Sequence, residues 1–164
     1  MIAFRVHSSL LNVGDSIPPS TTFFDALSPE KKEVEDFLEQ HRPERMLPRR
    51  EAVFLFKDIL EAKRWAVRTN RHIYSIELEE TDLNHCGDWC WLQLIHEGLA
   101  AGSLDVEQRA KNYWTRLQAT PKPVWELLAR NAKVVSKVEI PLLEGLSLRA
   151  ELLGLPTPGF VSQD

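Results

Sequence analysis

The stretch REAVFLFKDILEAKRWA, residues 50 to 66, constrains the fold more than any other part of the chain. It opens with an apolar run, Val53-Phe54-Leu55-Phe56, and turns at Lys57-Asp58 into residues of helical period. Asp58 is placed to cap that helix, and Glu61, three residues on, to reach back to it in a capping box. The helix then braces the strand, and the question is whether the joint serves only a core or also forms the wall of a site.

Other segments repeat the two periods. Ile2, Phe4 and Val6 alternate with Ala3, Arg5 and His7, so Arg5 and His7 share one face of a first strand. Residues 72 to 78 alternate likewise, with Tyr74, Ile76 and Leu78 together, and residues 133 to 140 place Val134, Val138 and Ile140 on one face. Ser28-Pro29-Glu30 starts a helix with a capping serine and a proline at its first position, and Val34, Phe37 and Leu38 form its apolar stripe. Pro43 and Pro48 make residues 40 to 50 a loop that delivers Arg49 and Arg50 to the next strand.

Residues 79 to 84 read as a polar connection, and 89 to 95 fit either a buried strand or a short helix, with Gly98 as a helix end. Ala110, Tyr113, Trp114 and Leu117 keep helical spacing, and Pro121 and Pro123 force an extended approach to Val124-Trp125-Glu126. The tail from Pro141 is leucine-rich, with a short helix ending near Gly154 and frayed final residues. Strands separated by helices in this order predict an α+β fold on a small mixed or mostly antiparallel sheet. No glycine-rich phosphate loop is present, which disfavours P-loop and Rossmann folds.

The 164 residues fit a single domain spanning 1–164, and 43% hydrophobic with 27% charged residues is an ordinary globular composition. A net charge of -4, with both signs mixed along the chain, leaves no wide positive field, so nucleic acid is not an expected partner. The basic stretch from Arg42 to Arg50 is either a solvated loop or a holder of a phosphate-bearing small molecule. The first residues lack the leader of a secretory signal, and no apolar run has the length of a bilayer span; the expected location is cytoplasmic, without a membrane partner. His85, Cys86 and Cys90 in HCGDWC fall short of the roughly four ligands zinc requires, so the thiols read as structural and no metal is expected.

Four groups of residues stand out chemically. Arg5 and His7 face solvent, a buried partner or a cleft, because an unpaired buried cation is costly. Glu126, between Trp125 and Leu127, is either a surface carboxylate at a helix start or an anion in an aromatic surround, able to steady a cationic sugar-like transition state. Phe54, Phe56, Tyr113, Trp114 and Trp125 are core residues or a platform for a flat ligand. Asp88, His85 and His96 are acid-base types for which the sequence supplies no specific partner.

FRVHSS (4 to 9), REAVFLFKDILEAKRWA (50 to 66) and VWELLARNAKVVSKVEI (124 to 140) together resemble the three-part layout of ADP-ribosyltransferase-like domains. The resemblance implies a split sheet with flanking helices, NAD as substrate, and transfer of ADP-ribose to an acceptor, a protein being one candidate. It implies Glu126 as the catalytic carboxylate, Arg5, His7 and Arg49 as contacts to ribose or phosphate, and Phe54, Phe56 and Trp114 as the lining of a nicotinamide cleft. Where that family has Ser-Thr-Ser or a tyrosine in its second motif, this chain has Phe54-Leu55-Phe56. The missing hydroxyls favour a rival reading, a non-catalytic nucleotide- or protein-binding module on the same fold. A third reading is an interaction protein whose tryptophans form an exposed patch.

Overall fold

The computed structural model describes residues 1–19 and 24–155. They run β1 (Ile2–His7), α1 (Pro29–Gln40), a 3-10 turn (Arg49–Glu51), β2 (Val53–Phe56), α2 (Ile59–Thr69), β3 (His72–Glu77) and β4 (Leu83–Asp88). There follow α3 (Cys90–Ala101), α4 (Val106–Trp114), β5 (Trp125–Ala129), β6 (Lys133–Val138) and α5 (Leu142–Leu152). The frayed tail expected from the sequence lies outside the described residues.

The strand-to-helix joint forms as its residues dictate. Asp58 Oδ1 accepts hydrogen bonds from Leu60 N at 2.7 Å and Glu61 N at 3.3 Å, satisfying two of the donors that a helix start leaves open. The reciprocal half of the capping box is missing: the Glu61 carboxylate takes a bond from Arg64 Nη1 at 2.5 Å instead. Ser28 precedes α1 without a side-chain cap, so Pro29 and the acidic Glu30 of the first turn mark that start.

All six strands join one sheet in the order β4-β5-β2-β1-β3-β6, and every pairing is antiparallel rather than mixed. β1 lies along β3 from Ile2 opposite Glu77 to His7 opposite His72. It meets β2 at a single register position, Phe4 opposite Phe56. The sheet is therefore one body with a narrow seam between β4-β5-β2 and β1-β3-β6. Arg5 Nη1 donates to the Phe54 carbonyl at 2.6 Å across that seam, adding a side-chain bond where the ladder is thin.

Because side chains alternate along each strand, register decides which residues share a face. Phe4, Phe56, Glu126 and Gly87 stand in one cross-strand row, with Phe54, Leu128 and His85 on the same face. Arg5, Leu55, Tyr74, Leu127 and Cys86 occupy the opposite face. Helices cover the first face: Val34, Leu38, Ile95, Ala110 and Trp114 pack on Leu128, while Ala62 and Ala66 pack with Val6 and Ile73. On the second face Leu55, Tyr74, Ile76 and Leu127 pack with Leu11, Ile17 and Leu78, contributed by connecting segments.

Three local expectations change, at residues 83 to 88, at Gly98 and in β6, where a bulge puts Val134 on the second face and Val138 with Ile140 on the first. Residues 83 to 88 form a strand that composition does not announce; the run after Trp89, open between strand and helix, is helical. Gly98 lies inside α3, where a Cβ would stand 2.6 Å from Val106 Cγ2, so it admits α4 rather than ending the helix. The end falls at Gly102, whose φ of 63° is the left-handed conformation glycine accommodates.

Candidate functional site

Loop 40 to 50 ends by burying an arginine. The guanidinium of Arg49, 1% exposed, meets Glu35 of α1 in a two-pronged pair, Nε to Oε2 at 2.6 Å and Nη2 to Oε1 at 3.1 Å. Its Nη1 donates to Glu126 Oε1 on β5 at 2.6 Å and to the Tyr113 hydroxyl on α4. Tyr113 in turn donates to the same Glu126 oxygen at 2.9 Å. Phe54 lies beneath, its ring centroid 4.8 Å from Arg49 Cζ. Four elements are thus tied at one point: α1, the 3-10 turn, α4 and β5.

The electrostatics follow from burial. Burial opposes the Arg49 charge, but Glu126 and Glu35 outweigh it and hold its pKa well above an ordinary arginine's. Burial pushes the Glu126 carboxyl above the usual range, with Arg49 pulling it back and Glu35 adding to the rise. Burial likewise keeps the Tyr113 phenol protonated far above its normal pKa, as a donor must be. Glu126 Oε2 takes no hydrogen bond from the described residues.

His85 and Gly87 of β4 close the cluster. The His85 ring packs 5.0 Å from both Tyr113 and Trp114, and its Nε2 lies 3.1 Å from the Tyr113 carbonyl. Gly87 is required by the tyrosine: a Cβ there would collide with Cε2 of that ring and stand 2.8 Å from its Cζ and 2.9 Å from His85 Nε2. Gly87→Ala is therefore expected to cost about 2 kcal/mol, the ordinary penalty for overpacking a core, measured as a shift in the urea midpoint at unchanged slope.

The residues expected to form one NAD cleft are divided by the sheet. Glu126, Arg49, Phe54 and Trp114 gather on the helix-covered face, with Phe56 packed against Trp65 at 6.2 Å between ring centroids. Arg5 and His7 lie on the other face, and neither reaches Glu126. Arg5 is bound to the Phe54 carbonyl, and burial, with help from Arg71, lowers its pKa to about 10. His7 Nδ1 accepts a hydrogen bond from Ser9 N at 3.1 Å in a local turn. Trp114 is buried, and its Nε1 donates to the Leu38 carbonyl at 2.9 Å inside the core.

The rest of the basic loop is largely engaged as well. Arg42 pairs with Glu39 and the Met46 carbonyl, and Arg50 reaches Asp36 at 3.4 Å on the surface. Of the five tryptophans only Trp89, at 40%, is exposed, which gives the third reading, an exposed tryptophan patch, little support. Asp88, for which the sequence supplied no partner, is fully buried and holds the loop before β5: it accepts from Cys90 N, Val124 N and Ala119 N at 3.1, 3.0 and 2.8 Å. Both cysteines are free thiols. Among the described residues no group of three or more His, Cys, Asp or Glu side chains is placed to hold a metal ion, and no helix is long and apolar enough to cross a membrane.

Glu35 is the member of the cluster that the sequence hid least. It sits three residues before Leu38 and beside Val34 in the apolar stripe of α1, and a carboxylate in such a stripe signals a buried cationic partner. Tyr113 gives no such signal, since an aromatic residue at helical spacing reads as core. No protein-family model matches the chain, and no curated protein matches it in sequence.

Proposed function

We propose that this chain is a non-catalytic binding module. The observation that carries the reading is the engagement of Glu126, held 2.6 Å from Arg49 and 2.9 Å from the Tyr113 hydroxyl and separated by the sheet from Arg5 and His7. A carboxylate that steadies a developing ribosyl cation has to direct its charge at the ligand. Here the nearest positive charge is the protein's own, and the three side chains act on each other.

The second reading is the NAD-dependent transfer of ADP-ribose, with Glu126 as the carboxylate. Its support is the unengaged Oε2 of Glu126 and the neighbouring Phe54 and Phe56 on the same face. One assay separates the two. Purified protein and Glu126→Gln, each incubated with NAD with and without a cell lysate as acceptor, are expected to release no nicotinamide above buffer. Release by the wild type that is lost in the variant would reverse the order of the readings.

A further inference from the structure

The open end of the second sheet face holds a depression of about 290 Å³ that Arg49 and Glu126 do not share. Its floor is apolar, made by Trp125 and Leu127 of β5 with Leu83 and Cys86 of β4. Two cations, Lys57 and Arg116, stand at its rim, and no carboxylate pairs with either among the described residues. Lys57 Nζ lies 5.9 Å from the centroid of the Trp125 ring.

Arg116 sits where its backbone favours another residue. Leu117 N donates to the Asn112 carbonyl at 3.0 Å and Arg116 N to the Tyr113 carbonyl at 3.2 Å, the pair of bonds that ends a helix through a left-handed residue. That residue is Arg116, with φ of 63°, and glycine is the residue this position suits. The backbone beside it is fixed: Trp91 Nε1 donates to the Leu117 carbonyl at 2.8 Å, and Asp88 holds Ala119 N and Val124 N. An arginine is thus presented from a rigid frame at a conformational cost, with its charge unpaired.

We propose that this depression binds a small ligand that joins a flat apolar ring to a phosphate, a nucleoside phosphate in class. A lysine and an arginine lining one depression suit the charge and the oxygen geometry of a phosphate, and the guanidinium fork adds direction. The apolar floor suits a ring, and the volume lies near the lower end for small-molecule sites. The inference rests on the binding-module reading and names its ligand class.

The test uses ADP as probe, with adenosine and inorganic phosphate as its two halves, followed by calorimetry and tryptophan fluorescence of the full chain. ADP is expected to bind, and adenosine and phosphate to bind at least about tenfold more weakly. Lys57→Gln and Arg116→Gly are each expected to weaken ADP binding about tenfold, and added salt to weaken it further. Arg116→Gly keeps the test clean, because glycine at φ of 63° leaves the fold at least as stable as before.

Absence of ADP binding, equal binding of adenosine, or ADP binding unchanged in both variants would overturn the site. Nicotinamide release from NAD that depends on Glu126 would overturn the parent reading instead, so the two failures are told apart by separate assays.

Discussion

Arg49→Met is expected to destabilise the protein by about 3–5 kcal/mol, the cost of leaving buried charge without its partner. The variant keeps a chain of similar length over Phe54 but strands Glu35 and Glu126, which are 5% and 7% exposed. Arg49→Lys is expected to recover little. One ammonium cannot reproduce two bonds to Glu35 together with those to Glu126 and Tyr113. The decisive comparison is the triple variant Arg49→Met, Glu35→Gln, Glu126→Gln, which removes the charges together and is expected to regain a large part of the loss. Urea unfolding at neutral pH measures all three. A single Arg49→Met that costs under about 1 kcal/mol would mean that the network is solvated and that Glu126 is available for other work.

The sequence carried this fold wherever a segment's own pattern sufficed. β1 and β3 alternate visibly, β2 is a plain apolar run, and the cap at Asp58 is a local motif read by local rules; the single face read for Val134, Val138 and Ile140 fails because a bulge in β6 against β3 turns Val134 to the second face. β4 was hidden because Asn84, Gly87 and Asp88 are poor strand formers whose presence there answers neighbours. Asn84 Oδ1 accepts from Leu47 N at 2.5 Å, Gly87 makes room for Tyr113, and Asp88 holds the chain before β5.

The candidate site was legible in its members and illegible in its grouping. Period two places Arg5 with His7 and Glu126 with Leu128, but which pair faces which depends on the register of β5 on β2 and of β2 on β1. Phe56 opposite both Phe4 and Glu126 sends Glu126 to the face away from Arg5. That fact rests on contacts between residues far apart in sequence, as does the pairing of Glu126 with Arg49, which spans 77 positions.

His85 supplies a pH dependence whose sign can be worked out. Burial, aided by the nearby charges of Arg116 and Arg49, lowers its pKa from 6.5 to about 4, so the folded protein holds the ring neutral where the unfolded chain protonates it. Between those values the unfolded state binds more protons, and stability falls as the solution is acidified from about pH 6.5 towards 4. The full shift corresponds to about 3 kcal/mol. Glu126 tilts the other way: a carboxyl raised above its ordinary value favours the folded state at low pH and loses that advantage as pH rises through its range.

The wild-type profile is therefore flatter than either group alone would make it, and only a difference between variants isolates the histidine. His85→Phe preserves the aromatic packing against Tyr113 and Trp114 and removes the titration. Its urea midpoint, followed from pH 4 to 7.5, is expected to gain on the wild type steadily as pH falls below about 6.5. With the histidine's titration gone, the variant's remaining slope exposes the opposite contribution of Glu126. Parallel profiles for the two proteins would mean that His85 titrates normally, and that the aromatic cluster over β4 opens to water far more readily than its packing implies.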